Sequence, residues 1–294
     1  PILLPEILRI LNPQPGHIAV DATLGYGGHA RELLAAIQPG GLPIATDTDP
    51  LELPKSEARL RALGFPPDSL LVRRMNFAGL QKLLAETAPQ GADLILADLG
   101  VSSMQIDNPS RGFSFKIDGP LDLRMNPQRG LSAASLLTKL SPPQLEKILT
   151  ENADEPHAAL IASSLFTPSS SPIPTTPQLA HRLRQILQTL PTTTEVDLSI
   201  RRVFQALRIA VNDEFSALDT FLRHLPKCLK PGGRLAILSF HSGEDRRVKH
   251  ALKSSFLDGD YSAIAPDILR PTPDEQRSNP RSSSAKLRWA IRSA

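Results

Sequence analysis

Three aspartates, Asp21, Asp47 and Asp98, each close a short apolar segment of the sequence. A carboxylate in such a position can accept hydrogen bonds from ligand hydroxyls or take a proton from a reacting group. Between the first two lies the run Gly25-Tyr26-Gly27-Gly28, where the backbone can approach a ligand closely. An apolar run, a glycine turn, a helix, a second apolar run and an acid together predict the first half of a nucleotide-binding βαβ unit.

The glycine spacing limits which nucleotide this unit could hold. It is not the G-x-G-x-x-G of dinucleotide-binding proteins, and no lysine follows the glycines as a P-loop requires. A dehydrogenase and a nucleotide hydrolase are therefore disfavoured. S-adenosylmethionine, which has a ribose and no phosphates, fits better, with Asp47 placed to hold its ribose hydroxyls. On this segment alone, an α/β scaffold without a cofactor stays an alternative.

The elements that must position these acids follow from the alternation of apolar and amphipathic segments. This alternation predicts a doubly wound, mostly parallel sheet, with ligands at the carboxyl ends of its strands. All three aspartates belong to such ends. The predicted strands are residues 17–22, 42–46, 70–72 and 92–98, and the predicted helices are 30–37, 56–63 and 77–86.

The pattern breaks at residues 108–205, which contain helical segments and no convincing strand. The predicted helices there are 133–140, 143–150, 158–165 and 178–190, and the proline- and serine-rich run 167–177 predicts an exposed loop. The α/β pattern resumes with a helix at 214–229, a turn at 230–233, a strand at 234–240 and an alternating edge strand at 285–291. We expect a core formed by 1–107 and 206–294, and an inserted, mainly helical substrate-recognition domain at 108–205.

Composition excludes several classes of protein. No run of about eighteen apolar residues occurs in the 294, so the sequence predicts no membrane association. The single Cys228 excludes an intramolecular disulfide and a multi-cysteine zinc site, and we expect no bound metal. The net charge of +3 permits a nucleic-acid partner, whereas 4% aromatic residues argue against a binder built on base stacking.

Five separated motifs carry a resemblance to a known family. They are the glycine turn and residues 98–105, 110–125, 203–214 and 239–246. In this order and spacing the chain resembles the RsmH/MraW family of small-subunit ribosomal RNA methyltransferases. That family uses S-adenosylmethionine to methylate the exocyclic N4 of a decoding-centre cytidine. The resemblance runs from Pro1 to about Arg292 and implies a Rossmann-like, class I methyltransferase fold.

The resemblance also implies roles for individual residues. The matching cofactor-binding positions are Gly27, Gly28, His29, Asp47, Phe77, Asp98 and Gln105. We expect Asp98 or the nearby carbonyls to accept a hydrogen bond from N4 and help remove its proton, with Asp118, Asp122 and His241 in the same pocket. The arginines expected to contact the RNA are Arg111, Arg124, Arg208, Arg246 and Arg247. For Phe77 the alternative is ordinary core packing, and for His29 and His241 it is a local role at a helix start.

Some family features are replaced, and these replacements concern RNA contacts more than the cofactor. Residues 155–160 lack the family's arginines, Gly243 replaces a leucine and Ser283 replaces an arginine. Because of these replacements, a second hypothesis is retained, in which the chain is a non-catalytic RNA-binding assembly factor. A small-molecule or DNA methyltransferase is disfavoured because no Pro-Pro-aromatic signature follows Asp98.

The implied partner is small-subunit ribosomal RNA within an assembled or nearly assembled small subunit. The resemblance places a bacterial chain in the cytoplasm and a eukaryotic organellar copy in the mitochondrion or plastid. The sequence does not disclose the oligomeric state, for which a homodimer is one alternative.

Overall fold

A computed structural model describes residues 1–64, 69–166 and 172–294. The chain forms two compact units. The first comprises Pro1–Gly100 and Phe215–Ala294, and the second comprises Val101–Glu214. Each unit has its own hydrophobic core.

A seven-stranded sheet is the centre of the first unit. Its strands are β1 (Ile18–Asp21), β2 (Leu42–Asp47), β3 (Leu71–Arg74), β4 (Ala92–Asp98), β5 (Leu229–Ser239), β6 (Tyr261–Ile264) and β7 (Lys286–Arg292). They lie in the order β3-β2-β1-β4-β5-β7-β6. The first five are mutually parallel, and β7 is antiparallel to both of its neighbours. The predicted α/β class with a mostly parallel sheet is therefore confirmed.

Helices complete both units. Those of the first unit are α1 (Leu4–Leu11), α2 (Gly28–Ala36), α3 (Leu53–Arg61) and α4 (Leu80–Thr87). Those of the second unit are α5 (Ser103–Asp107), α6 (Ala133–Leu137), α7 (Pro142–Ala153), α8 (Ala158–Leu165), α9 (Thr176–Ile186) and α10 (Thr193–Asn212). Three further helices follow, α11 (Glu214–Cys228), α12 (Ser242–Leu257) and α13 (Pro273–Ser278). No helix in the described ranges is long and apolar enough to cross a membrane.

The two faces of the sheet bury alternate residues of the same strands. Val20 and Ile95 face a core that includes α4, α11 and α12. Ala19 and Leu94 face a second core with α1 and α2. A parallel sheet covered by helices on each side requires apolar residues on both faces. Because β1 pairs in parallel with both β2 and β4, the carboxyl ends of these three strands lie at one edge of the sheet.

Two expectations about the end of the sheet are wrong. The segment 285–291 was expected to be an edge strand, but β7 lies between β5 and β6 because β6, which the sequence pattern did not reveal, pairs with its outer side. The segment 230–233 was expected to be a turn before the strand. Instead Leu229 already pairs with Ala92 and Arg234 pairs with Leu94, so the intervening residues form an irregularity within β5.

The second unit packs around one apolar cluster contributed by α6 to α10. Of the loop expected at 167–177, residues 167–171 lie outside the described residues, and α9 already begins at Thr176. Helix α10 is continuous across position 205, where the insertion was expected to end. It stops at Asp213, which has a left-handed backbone (φ 51°).

Candidate active site

The glycine turn joins β1 to α2 and is fastened to the end of β2. Gly25 (φ +48°) and Gly27 (φ +83°) have left-handed backbones, which glycine adopts at little cost. The carboxylate of Asp47 accepts a hydrogen bond from the Gly25 N–H through Oδ2 (2.8 Å) and another from the Asp49 N–H through Oδ1 (2.9 Å). Asp47 therefore fixes the position of the turn relative to the second strand.

Gly28, the first residue of α2, leaves little room for a side chain. A Cβ atom built there would lie 2.9 Å from Cγ of Pro1. Any side chain at position 28 would therefore displace the ring of Pro1.

Asp21, Asp47 and Asp98 end the three adjacent parallel strands β1, β2 and β4. Burial raises the pKa of Asp21 to about 6; His29 opposes this shift, and the charges of Asp98 and Asp47 add to it. Burial also raises the pKa of Asp98 to about 7, and the charge of Glu244 acts in the same direction. The pKa of Asp47 is raised as well, again mainly by burial. The carboxyl group of Asp21 therefore lies close enough to those of Asp47 and Asp98 to sense their charges.

His29 in the first turn of α2 contacts Asp98. Its Nδ1 lies 3.5 Å from Oδ2 of Asp98, and its Nε2 lies 3.0 Å from the carbonyl oxygen of Ile2. Since a carbonyl only accepts, we assign the imidazole proton to Nε2, which leaves the Nδ1 lone pair facing Asp98. Burial lowers the pKa of His29, so the ring is held in its neutral form. A protonated Asp98 can then donate to Nδ1.

Thr23 links the ends of β1 and β4, although the sequence analysis did not select it. Its hydroxyl accepts a hydrogen bond from the Asp98 N–H (2.6 Å), and its own N–H donates to Oδ1 of Asp21 (3.1 Å). The position of Thr23 two residues after a strand-ending acid was the available signal.

Phe77 lies just after β3, in a segment that is hydrogen-bonded to the backbone of Asp47. The Met75 N–H donates to the Asp47 carbonyl (2.9 Å), and Asn76 caps the following turn by accepting from the Ala78 N–H (2.8 Å). The Phe77 ring packs against Phe221 of α11, with centroids 5.0 Å apart. The ring is half-buried, so it contributes to the core, and its contact with a cofactor stays a prediction.

His241 occupies the N-cap of α12. Its Nδ1 accepts from the Glu244 N–H (3.4 Å), and Oε2 of Glu244 accepts from the Phe240 N–H (2.8 Å). Glu244 is buried, and its charge contributes to the raised pKa of Asp98. The local capping role considered for His241 is thus present in the structure, and a direct part in chemistry stays a prediction. Glu244 is a residue of this region that the sequence analysis did not select.

The remaining acids and two of the arginines belong to the second unit, in the segment 111–125. Asp122 forms a two-point ion pair with Arg124, with both N–O distances 2.7 Å. Arg111 is buried and donates to the carbonyls of Arg124 (3.0 Å) and Met125 (2.8 Å). Asp118 is exposed. An RNA contact by Arg111 would require breaking these internal hydrogen bonds.

Asn212 at the end of α10 anchors the same segment. Its amide donates to the Leu123 carbonyl and accepts from the Met125 N–H, both at 2.7 Å. Asn212 belongs to the sequence motif 203–214. From sequence alone, an asparagine that holds a distant loop cannot be distinguished from one at the surface.

Gln105 is also in the second unit, at the start of α5. Its side-chain oxygen accepts from the Ser102 N–H (2.8 Å), and its own N–H donates to the Ser102 hydroxyl (3.3 Å). This reciprocal pair is a capping box. A cofactor contact by Gln105 stays a prediction.

The other predicted RNA-binding arginines differ in their surroundings. Arg208 forms a two-point ion pair with Glu214 (2.8 and 2.9 Å). Arg247 lies over the ring of Phe215 (3.7 Å to the centroid) with its Nε 3.4 Å from Asp219. Arg246 is exposed. Of these three, Arg246 is therefore the most accessible to a phosphate.

The profile of the MraW methylase family matches residues 1–293. The chain belongs to the MraW methylase family. Membership confirms the resemblance drawn from the five motifs, and it spans both units.

Two relatives of this family member show how far the similarity extends. Ribosomal RNA small subunit methyltransferase H 2 of Alkaliphilus metalliredigens is 48% identical over 296 residues, covering 99% of this chain and 84% of that protein. Ribosomal RNA small subunit methyltransferase H of Acidobacterium capsulatum is 38% identical over 294 residues, covering 99% and 97%.

One departure from the family pattern has a structural explanation. At Gly243, where the resemblance leads one to expect leucine, an added Cβ would lie 2.7 Å from Cζ of Phe215. Phe215, which is stacked against Arg247, occupies the space next to this position. Glycine is therefore the residue that suits this packing.

Proposed function

We propose that the chain transfers a methyl group from S-adenosylmethionine to the exocyclic N4 of a cytidine in small-subunit ribosomal RNA. The observation that carries the proposal is the group of three carboxylates beside the glycine turn, of which Asp21 is buried and Asp47 and Asp98 are half-buried, in a chain of the methylase family. The names of its relatives supply ribosomal RNA as the substrate class, and the resemblance supplies the N4 position.

The residues around the turn fit a ligand that has a ribose and carries positive charge. Burial raises the pKa of all three aspartates, which means that their ionised forms lack full compensation in the protein itself. A bound sulfonium and ammonium would supply that compensation. In this proposal Asp47 holds the ribose hydroxyls, the backbone of Gly27 and Gly28 contacts the amino-acid end, and Phe77 lies against the adenine.

When bound, S-adenosylmethionine supplies an activated methyl group whose transfer leaves a neutral thioether. The protein then needs to orient the acceptor amine more than to provide a strong base. Asp98 accepts a hydrogen bond from N4 and takes its proton as the new bond forms. A carboxyl group whose pKa is about 7 is suited to both holding and releasing that proton near neutral pH.

The neutral His29 supports Asp98 in this role. With Nδ1 facing Oδ2 at 3.5 Å, it can accept a hydrogen bond from the protonated acid and so fix the carboxyl group in one orientation. His29 is in this view a positioning residue, and Asp98 is the catalytic one.

Binding of the base is assigned to the second unit. We infer that the segment 113–124, with Asp118, Asp122 and Arg124, receives a cytidine turned out of its stack. His241, in the first unit, is a further residue proposed to contact the base. The substrate in this proposal is an assembled or nearly assembled small subunit, because a decoding region acquires its structure only there.

The test is transfer of labelled methyl from S-adenosylmethionine to small subunits that lack the mark. We expect incorporation at one cytidine with the wild-type chain and a loss of at least about 100-fold with Asp98→Ala, because acid–base groups contribute about 10²- to 10⁴-fold. Binding of S-adenosylmethionine by the wild-type chain without any incorporation would refute the enzyme assignment.

A further inference from the structure

Helix α12 is basic along one exposed face. Arg246, Lys249, His250 and Lys253 are all exposed and follow the i, i+3, i+4, i+7 spacing of a single helix face. We call these four residues the α12 basic face. The opposite side of the helix is buried in the core through Val248 and Leu252. At 1.5 Å per residue, the basic face extends for about 10 Å.

The acids around this face are turned away from it. Asp245 is engaged by Arg288 of β7 (2.7 and 3.2 Å), and Arg288 is itself buried. Asp219 of α11 pairs with Arg247. In the described parts of the chain, no carboxylate lies within 4 Å of the ammonium of Lys249 or Lys253. Their charge is therefore directed to solvent.

Helix α11 adds charge of the same sign. Arg223 and Lys227 are exposed on it, one and two turns beyond Asp219. Because Asp219 pairs with Arg247, the two helices are held together at that level. Both helices cover the same core of the sheet through residues such as Phe221 and Val248.

The basic face begins next to the candidate active site. Helix α12 starts at His241 and Glu244, and Glu244 is close enough to Asp98 for its charge to be felt there. The helix then carries the basic face away from the carboxyl edge of the sheet. A polyanion whose reacting group lies at Asp98 can therefore follow α12.

We propose that the α12 basic face binds RNA phosphates that flank the methylated cytidine. This inference rests on the proposed function. Exposed ammonium groups without ion-pair partners bind phosphates electrostatically, and such contacts position an RNA without reading its sequence. The face lacks Phe, Tyr and Trp between Arg246 and Lys253, so binding depends mainly on charge.

The experiment measures binding of small ribosomal subunits and, separately, of protein-free small-subunit ribosomal RNA by filter retention at a series of salt concentrations from about 50 to 200 mM. The variant is Lys249→Gln/Lys253→Gln. The matched control, Lys55→Gln/Lys82→Gln, removes two exposed lysines from α3 and α4 of the same unit. Lys249→Arg/Lys253→Arg keeps the charge and serves as the rescue.

Log affinity falls linearly with log salt, and we expect this slope to become less steep by about 0.7 to 0.9 for each lysine removed from α12. At the lower salt concentration, affinity should fall about tenfold or more relative to the control, while the arginine variant retains the wild-type slope. Affinity for S-adenosylmethionine, measured by calorimetry, should be unchanged in all three variants, which also verifies that they are folded.

Equal slopes for the α12 variant and the α3/α4 control would overturn the inference. Loss of affinity only for assembled subunits, with normal binding of protein-free RNA, would also overturn it, because the partner would then be an acidic ribosomal protein. The outcome is separable from that of the proposed function. Methyl transfer together with unaltered slopes would refute only the RNA-binding role of the α12 basic face. Altered slopes without any methyl transfer would refute only the proposed enzyme activity.

Discussion

Asp47 joins the glycine turn to the end of β2 through both of its carboxylate oxygens. In Asp47→Asn one oxygen is replaced by an amide nitrogen, and the negative charge is lost. Hydrogen bonds to charged groups contribute about 1.5–3 kcal/mol, so we expect the Kd for S-adenosylmethionine to rise about 10- to 100-fold. Isothermal calorimetry measures this directly.

Asp93→Asn is the matched control for that experiment. Asp93 accepts hydrogen bonds from the Ile18 N–H (2.7 Å) and from Lys230 (2.8 Å) at the start of β4, the opposite end of the strand from Asp98. Its removal should leave the Kd unchanged. Equal losses in the two variants would mean that Asp47 acts only through general stability.

The raised pKa of Asp98 predicts how the reaction depends on pH. Asp98 must be ionised to accept the N4 proton, so kcat/KM, which reports the ionisations of the free enzyme, should rise with pH through about 7 and level off above it. Asp98→Asn should remove this acidic limb together with most of the rate. A limb that survives in Asp98→Asn, with a midpoint near 6, would point to Asp21 as the proton acceptor instead.

The same pKa shifts make a prediction about stability. Because the folded-state pKa values of Asp21 and Asp98 lie above the ordinary aspartate value of 3.8, the folded protein binds these protons more tightly than the unfolded chain does. Stability should then fall as pH rises from about 4 to 7. We expect the decrease in Tm over this range, measured by calorimetry without cofactor, to be smaller in Asp98→Asn than in wild type. An equal decrease would show that the cost of burying Asp98 is compensated in the folded state.

Among the secondary-structure elements, the start of α12 combines a helix cap with a proposed catalytic residue. His241→Ala removes the cap and should cost about 0.5–2 kcal/mol of unfolding free energy. His241→Asn keeps an N-cap acceptor and should retain most of that stability. If His241 contacts the base, the asparagine variant should lose methyl transfer while its denaturant midpoint stays near wild type. Retention of both would assign His241 to capping alone.

The sequence was sufficient to predict the elements whose pattern is local. Strands β1, β2 and β4 are apolar runs closed by aspartates, so their ends and their common edge could be predicted. The position of β7 could not, because it depends on pairing with β6, a four-residue strand that carries little periodicity of its own.

For much of the candidate site, the sequence likewise predicted which residues take part but not which residues they contact. That Asp47 and Asp98 end neighbouring strands followed from the sequence, whereas the contact of His29 with Asp98 and the bridge made by Thr23 depend on side-chain geometry. The same holds for Arg111, whose charge suggested a phosphate contact. In the structure it is buried and donates hydrogen bonds to backbone carbonyls, contacts that no sequence pattern predicts.

For the whole molecule, the two units carry different groups of the proposed residues. The first unit contains the glycine turn with Asp47 and Asp98, and the second contains Asp118, Asp122 and Arg124. Each unit has a separate apolar core, so substitutions at exposed positions in one are not expected to disturb the other. This arrangement predicts that cofactor binding and substrate binding can be impaired independently.

Asp118→Asn tests this division of roles. Asp118 is exposed in a segment that Arg111 and Asn212 hold in place, so its substitution should leave the fold intact. Loss of a charged hydrogen bond to the base should lower kcat/KM for small subunits about 10- to 100-fold. The Kd for S-adenosylmethionine should stay at the wild-type value, in contrast to Asp47→Asn. Asp154→Asn is the control, because Asp154 is exposed in the same unit and its left-handed backbone (φ 48°) also suits asparagine. An equal loss in both variants, or a weakened cofactor affinity in Asp118→Asn, would contradict the assignment of base contacts to the segment 113–124 of the second unit.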